Sequence, residues 1–185
     1  MPLSLWLLPP TGVPLSYPPT STRSSLVEQM ERVAMAHCLP LPEPHVTLLG
    51  EIEEWSVPEA SERLRQLKGF GPVAVEFVEL HAADDAPWQQ SAVALVRETP
   101  HLLNLRSWAM AAFASAGEEP ASATAAWAAP LGRPHLSLAY GSPPAALAHL
   151  SLPPPFVAEH VALWRTEPLT LEGVPLWREV ARVAL

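Results

Sequence analysis

Short hydrophobic stretches separated by proline, glycine and serine dominate the chain and predict β-strands. These stretches cover residues 3–8, 44–52, 73–81, 91–97, 135–140, 157–165 and 177–185. Apolar positions with helical spacing predict helices over residues 23–38, 58–68, 101–117 and 144–149. The predicted order is therefore β-α-β-α-β-β-α-β-α-β-β, with a turn at Asp84–Pro87 between the third and fourth strands.

Consecutive strands without an intervening helix distinguish this order from the strict alternation of a doubly wound parallel sheet. We therefore expect an α+β fold rich in antiparallel strands. A chain of 185 residues suffices for one substantial core and is too short for two ordinary independent domains. We predict one domain over residues 1–185, built of two β-rich lobes that each contain a helix.

The charge of the chain restricts its partners. The formal net charge is -8, and Lys68 is the only lysine beside ten arginines. No basic stripe is present that could neutralise a run of phosphates. We expect no long nucleic acid as a partner, whereas a small nucleotide held by a few local groups is compatible with this composition.

Cysteine content and the N-terminal segment indicate the compartment. Cys38 is the only cysteine, so no intramolecular disulfide can form. The apolar stretch at residues 3–8 has no positively charged segment before it and stops at Pro9, which favours a strand over a signal peptide. No apolar run approaches the roughly 20 residues that span a bilayer. We expect a cytoplasmic monomer without membrane contact.

A pattern of proline, histidine, apolar residue, hydroxyl residue and leucine occurs twice, beginning at Pro44 and at Pro134. Side chains alternate between the two faces of a strand. His45 and Thr47 should therefore share one face of their strand, and His135 and Ser137 one face of theirs. In each copy the aliphatic residues point to the opposite face.

Two such strands side by side supply what hydrolysis of a cyclic phosphate requires. One neutral imidazole can deprotonate water and one protonated imidazole can protonate the departing ribose oxygen, because histidine titrates near pH 6.5. The hydroxyls of Thr47 and Ser137 can stabilise the charge on the phosphoryl oxygens. We therefore predict that His45 and His135 are an acid–base pair, with a bell-shaped dependence of the rate on pH.

The remaining histidines lack this context. His149 begins a third match, but it has no preceding proline, and Pro153–Pro155 prevent that segment from continuing as a central strand. The histidines without a hydroxyl partner at the same spacing are His37, His81, His101 and His160. One cysteine and no helical histidine pair with acidic support argue against a metal site. We expect no metal and no cofactor.

Three segments resemble the two-histidine phosphoesterases, and within them the plant and fungal cyclic phosphodiesterases that act downstream of tRNA splicing. The segments are Ser4–Pro9, Pro44–Leu48 and Pro134–Gly141, with sequences SLWLLP, PHVTL and PHLSLAYG. The resemblance implies a bilobal fold, with two antiparallel-rich sheets, helices outside and a water-filled central cleft. It also implies metal-independent hydrolysis of ADP-ribose 1'',2''-cyclic phosphate or a nucleoside 2',3'-cyclic phosphate to a phosphomonoester.

The resemblance assigns roles to individual residues. His45 and His135 correspond to the catalytic pair, Thr47 and Ser137 to the phosphate-binding hydroxyls, and Tyr140 to a cleft-lining aromatic residue. By analogy, His135 activates the water and His45 protonates the leaving oxygen. The chain departs from the family in the alanine- and proline-rich segment at residues 121–130, which changes one edge of the predicted cleft.

Two aromatic residues are candidates for contact with the substrate, Tyr140 and Trp6. Strict alternation places Tyr140 on the aliphatic face, so it can line the cleft only if its strand ends or bulges at Ala139. Trp6 and Trp164 lie in predicted strands, where an aromatic side chain more often belongs to the core. Of these two, Trp6 is kept as a substrate-lining candidate.

Two alternative functions stay open. One is an RNA-end-processing member of the same superfamily, either 2',5' ligase-like or a 3' exonuclease, although the acidic charge argues against a long RNA substrate. The other is a non-catalytic nucleotide-binding module, which would not require both histidine–hydroxyl pairs. Salt-insensitive turnover of a mononucleotide favours the phosphodiesterase, and strongly salt-dependent RNA binding favours the RNA-end enzyme.

Overall fold

The computed structural model describes residues 2–10, 22–52, 54–82, 88, 91–114, 133–141 and 150–185. The strands are β1 (Leu3–Leu7), β2 (Val46–Ile52), β3 (Val73–Val75), β4 (Phe77–His81), β5 (Ala92–Val96), β6 (His135–Ala139), β7 (Phe156–Ala158), β8 (His160–Arg165) and β9 (Arg178–Ala184). The helices are α1 (Thr22–His37), α2 (Val57–Leu64) and α3 (Pro100–Phe113). Short 3₁₀ segments lie at Arg65–Leu67 and Leu171–Leu176, and the latter was not predicted.

A seven-stranded sheet in the order β4-β5-β6-β2-β1-β8-β9 forms the centre of the molecule, and all its neighbouring strands are antiparallel. The predicted α+β class with antiparallel sheets is confirmed. One half of the sheet is β4-β5-β6 and the other is β2-β1-β8-β9. The halves meet at a single paired position, Val46 opposite Leu136, so the two motif strands are adjacent.

Two predicted strands are each two strands in the structure. Glu76 separates β3 from β4, and Glu159 separates β7 from β8. β4 and β8 stay in the main sheet, while β3 and β7 pair with each other in a second sheet. The prediction of continuous strands over residues 73–81 and 157–165 was wrong, because hydrophobic periodicity does not reveal where a chain leaves one sheet for another.

One face of the main sheet packs against the helices and builds the core. Leu5 and Leu7 of β1 belong to one buried cluster with side chains of all three helices, including Leu26 of α1 and Leu64 of α2. Trp6, between them in the sequence, belongs to a separate cluster on the other face. The main core therefore lies on one face of the sheet, and the cluster that contains Trp6 lies on the other face.

The ends of α3 have clear local causes. Thr99 precedes the helix, and its side-chain oxygen accepts a hydrogen bond from the Leu102 backbone N–H at 3.2 Å. Pro100 occupies the first turn, where its missing N–H costs nothing. The helix ends at Phe113, earlier than the predicted residue 117.

Several predicted features fall outside the described residues. They are the turn at residues 84–87, the segment 121–130, the helix at residues 144–149 and His149. Within the part of the chain that the structure describes, no helix has both the length and the apolar character needed to cross a membrane.

Candidate active site

The two sequence motifs meet at the centre of the sheet. His45 directly precedes β2, and His135 is the first residue of β6. Val46 pairs with Leu136 in an antiparallel register. The two histidines lie close to each other at this point, because the charge of a protonated His135 lowers the pKa of His45.

The aliphatic residues of both motifs anchor this arrangement. Val46 and Leu48 of β2 are buried in the main core cluster, together with Leu136 and Leu138 of β6. Alternation then directs the intervening side chains to the opposite face. Of the two hydroxyl residues, Thr47 is half-buried and Ser137 is buried.

Both imidazole rings are held by the same local hydrogen bond. The Nδ1–H of His45 donates to the carbonyl oxygen of Glu43 at 2.5 Å, and that of His135 donates to the carbonyl of Arg133 at 2.8 Å. Since a carbonyl oxygen can only accept, the proton of each neutral ring must sit on Nδ1. Nε2 of each neutral ring therefore carries no proton, and its lone pair can accept one.

Trp6 lies directly against the first histidine. Its ring stacks on His45 with centroids 3.5 Å apart and planes 9° apart. On Trp164 it stacks with centroids 4.4 Å and planes 22° apart. The side chain of Trp6 is only 2% exposed. Trp6 was predicted to line the substrate; the structure places it beside a catalytic candidate, and its contact with substrate stays a prediction.

Tyr140 lies beside the second hydroxyl. The strand that precedes it, β6, ends at Ala139. Strict alternation therefore does not hold Tyr140 on the aliphatic face of the strand. Tyr140 forms a side-chain hydrogen bond with Ser137. Its ring makes edge contacts with Trp88 at 5.5 Å and Trp177 at 5.8 Å between centroids. Tyr140 is buried, and its role as a substrate-lining residue likewise stays a prediction.

The model of a family described as "Cyclic phosphodiesterase-like protein" matches residues 1–150. The matched region includes both motifs and most of the central sheet. The chain belongs to this cyclic phosphodiesterase-like family. Membership confirms the predicted resemblance to the two-histidine phosphoesterase superfamily.

Solved structures share the cyclic phosphodiesterase-like fold of this chain. The protein TT0787 of Thermus thermophilus is 21% identical, and the match covers 100% of this chain and 98% of that one with a TM-score of 0.58. E. coli LigT complexed with 3'-AMP is 16% identical over 99% of this chain and 96% of that one, with a TM-score of 0.54. LigT complexed with NADP+ matches with the same identity and coverage and a TM-score of 0.52. The comparison with curated proteins found no match.

Burial controls the protonation of His45 and His135. The pKa of His45 is lowered to about 3: burial is the largest cause, the hydrogen bond to Glu43 opposes it, and the neighbouring His135 adds to the lowering. Burial also lowers the pKa of His135, opposed by its hydrogen bond to Arg133. Both rings are therefore neutral at pH 7 in the free protein.

Burial has the opposite consequence for Tyr140. Loss of hydration raises the pKa of this phenol, and the hydrogen bond with Ser137 opposes the rise only in part. The phenol therefore keeps its proton at neutral pH.

Sequence reasoning missed two members of this site, Trp88 and Trp177. Trp177 contacts Trp6 at 6.2 Å between ring centroids and Trp88 at the same separation. Its Nε1–H donates to the Pro168 carbonyl at 2.9 Å. The one available signal was the presence of seven tryptophans in 185 residues, several of them outside predicted strands. Among the described residues, no three potential metal-ligating side chains come together.

Proposed function

We propose that this chain hydrolyses a small cyclic phosphate to a phosphomonoester, with His45 and His135 as its acid–base pair. The observation that carries this proposal is the pairing of the two motif strands at Val46 and Leu136. Each Nδ1–H is held by a carbonyl two residues earlier, and strand alternation puts the hydroxyl of each motif on the same face as its histidine. A phosphate bound on this face would meet two Nε2 atoms and two hydroxyl groups.

The reaction uses these groups in one displacement. Water attacks phosphorus and loses its proton to Nε2 of one histidine, while one phosphorus–oxygen ester bond of the ring breaks. Nε2 of the other histidine, protonated beforehand, gives its proton to the departing ribose oxygen. Thr47 and Ser137 donate hydrogen bonds to the phosphoryl oxygens as negative charge develops on them. The product keeps the phosphate on one ribose oxygen.

The acid must acquire its proton before this step. Both rings are neutral in the free protein, because burial lowers the pKa of each. A bound phosphodiester anion raises the pKa of the adjacent imidazoles, since a nearby opposite charge favours the protonated form. One ring then holds a proton in the complex while the other stays neutral. The direction implied by the resemblance, with His45 as the acid, stays a prediction.

The substrate that we propose is a small nucleotide, either ADP-ribose 1'',2''-cyclic phosphate or a nucleoside 2',3'-cyclic phosphate. The aromatic side chains beside the motifs, Trp88, Tyr140 and Trp177, support a ligand with a planar base. The net charge of -8 supports a small ligand over a long polyanion. LigT, which shares the fold, has been solved with 3'-AMP and with NADP+.

The test is hydrolysis of ADP-ribose 1'',2''-cyclic phosphate and 2',3'-cyclic AMP in EDTA by wild type, His45→Ala and His135→Ala. We expect turnover by wild type and loss of it in both variants. His101→Ala is the matched control, because His101 is exposed and stacks on Phe70, remote in the chain from both motifs. A folded wild type that hydrolyses neither compound, or a histidine variant that retains the rate, would sink the proposal.

A further inference from the structure

The indole of Trp6 has both of its faces covered. Trp6 pairs with Thr47 of β2 on one side and with Ala162 of β8 on the other. Its stacking partners are the diagonal neighbours of these positions, His45 before Thr47 and Trp164 after Ala162. Large side chains reach such diagonal neighbours across an antiparallel pair. The result is a three-ring stack of His45, Trp6 and Trp164 on one face of the sheet.

The stack restrains a motion that the hydrogen bond to His45 leaves open. A single bond from Nδ1 to the Glu43 carbonyl fixes one point of the imidazole but lets the ring tilt about that point. A flat indole 3.5 Å away and only 9° from parallel fixes the plane of the ring as well. Together the two contacts determine where Nε2 points.

We propose that Trp6 is a positioning residue for His45, which fixes the plane of the imidazole and thereby aims Nε2 at the phosphate, and that it is not a surface for the substrate base. This role rests on the proposed function of His45 as a catalytic group. A side chain that is 2% exposed, with its faces covered by His45 and Trp164, offers no open ring face for a base to stack on. Trp164 supports the outer face of Trp6 and keeps the stack closed.

Among the described residues, an aromatic ring stacks on His45 of the first motif and not on His135 of the second. His135 has the equivalent bond to a carbonyl, from Arg133. Its side chain is half-buried rather than buried. Trp6 therefore acts on one member of the pair.

The test compares Trp6→Leu, Trp6→Phe and Trp164→Leu with wild type. The control is Trp108→Leu, which changes a tryptophan that is 51% exposed on α3. The substrates are 2',3'-cyclic AMP and a ribose 2,3-cyclic phosphate that carries no base. Nitrogen-15 NMR relaxation of the imidazole reports the mobility of the His45 ring independently of turnover.

We expect Trp6→Leu to lower kcat on the order of 10- to 100-fold for both substrates, because small misplacements of a reacting group have effects of this size. KM should stay unchanged. Trp6→Phe should recover most of the rate, and Trp164→Leu should lower kcat less than Trp6→Leu. In Trp6→Leu the ring of His45 should become more mobile while its proton stays on Nδ1, because the hydrogen bond to Glu43 remains.

Two results would overturn the proposal. One is a rise in KM confined to the substrate with a base at unchanged kcat, which would make Trp6 a base platform. The other is a folded Trp6→Leu or Trp164→Leu variant with the wild-type rate and the wild-type mobility of the His45 ring. If Trp6→Leu does not fold, Trp164→Leu and Trp6→Phe decide the question by the same relaxation measurement. If wild type hydrolyses neither compound, the proposed function fails, while the NMR comparison still decides whether Trp6 orients His45.

Discussion

The first and second motifs share their local structure and differ in their surroundings. In both, a histidine at the start of a strand donates from Nδ1 to the carbonyl two residues earlier. The first histidine, His45, is buried against Trp6, whereas His135 is half-buried. The burial of the two hydroxyl residues shows the opposite order. Thr47 is half-buried, whereas Ser137 is buried and hydrogen-bonded to Tyr140.

This difference separates what a repeated sequence determines from what the tertiary structure adds. The repeat determines alternation, the tautomer of the ring and the position of the hydroxyl, since all of these depend on neighbours within a few residues. The environment of each group comes from distant strands and loops. In the first motif Trp6 stacks on the imidazole of His45, and in the second motif Tyr140 forms a hydrogen bond with the hydroxyl of Ser137.

The largest expected effect tests whether the two histidines act as one unit. His45→Ala and His135→Ala should each lower kcat by about 10²- to 10⁴-fold, the usual contribution of a general acid or base. The double variant should lose little more than either single one, because groups that act together are not additive. Initial rates with 2',3'-cyclic AMP measure this, and losses that simply multiply would show that the histidines act independently.

The next effect compares the two hydroxyls. Thr47→Ala and Ser137→Ala should lower kcat by on the order of 10²-fold, as expected for a donor that acts in the transition state. The loss should be greater for Ser137→Ala, since water can replace the half-buried Thr47 hydroxyl more easily than a buried one. Ser107→Ala, at an exposed serine on α3, is the control for kcat. Equal losses, or changes in KM alone, would remove the distinction between the motifs.

Much of this site could be predicted from the sequence because its chemistry lies within two short strands. His45, Thr47, His135 and Ser137 follow from the repeat and from alternation alone. Trp177 could not be predicted as a member, since it precedes β9 and reaches the site only through the folding of the sheet. A sequence pattern reports faces of a strand and does not report which distant side chain covers them.

The same limit applies to the fold. The strands and helices follow from hydrophobic spacing, and their order already indicates antiparallel pairing. The breaks at Glu76 and Glu159 could not be predicted, because β3 and β7 stabilise each other far apart in the sequence. The residues on both sides of each break favour a β-strand, and the two strands differ only in the strand with which they pair.

A third prediction concerns stability below neutral pH. The folded-state pKa of His45, about 3, lies below the value of about 6.5 in an unfolded chain. As pH falls from about 6.5 towards 3, the unfolded state binds this proton first, and the native state loses stability by up to about 1.4 kcal/mol per pH unit. Above this window the histidine has no such effect.

His45→Asn should remove this sensitivity. Relative to wild type, its free energy of unfolding should improve by about 2 kcal/mol between pH 7.5 and pH 5. His135→Asn should change in the same direction and by less, because His135 is less buried. Urea unfolding at the two pH values measures the difference. A wild-type pH dependence identical to that of His45→Asn would show that the ring is hydrated in the native protein.

The smallest effect concerns the second motif alone. Tyr140→Phe removes the hydrogen bond to Ser137 but keeps the ring, so kcat should fall by at most about tenfold, in line with about 0.5–1.5 kcal/mol for one hydrogen bond. In a Ser137→Ala background the same change should have no further effect. A loss that persists in that background would mean that Tyr140 acts on the substrate directly.

The central claim is that water opens the ring of a cyclic phosphate between His45 and His135 without help from a metal. The most direct measurement is phosphorus-31 NMR of the product formed from 2',3'-cyclic AMP in ¹⁸O-enriched water with EDTA. The account predicts a phosphomonoester with one ¹⁸O on phosphorus for wild type and none for His45→Ala. A folded wild type that forms no product, or a product without ¹⁸O on phosphorus, would contradict it.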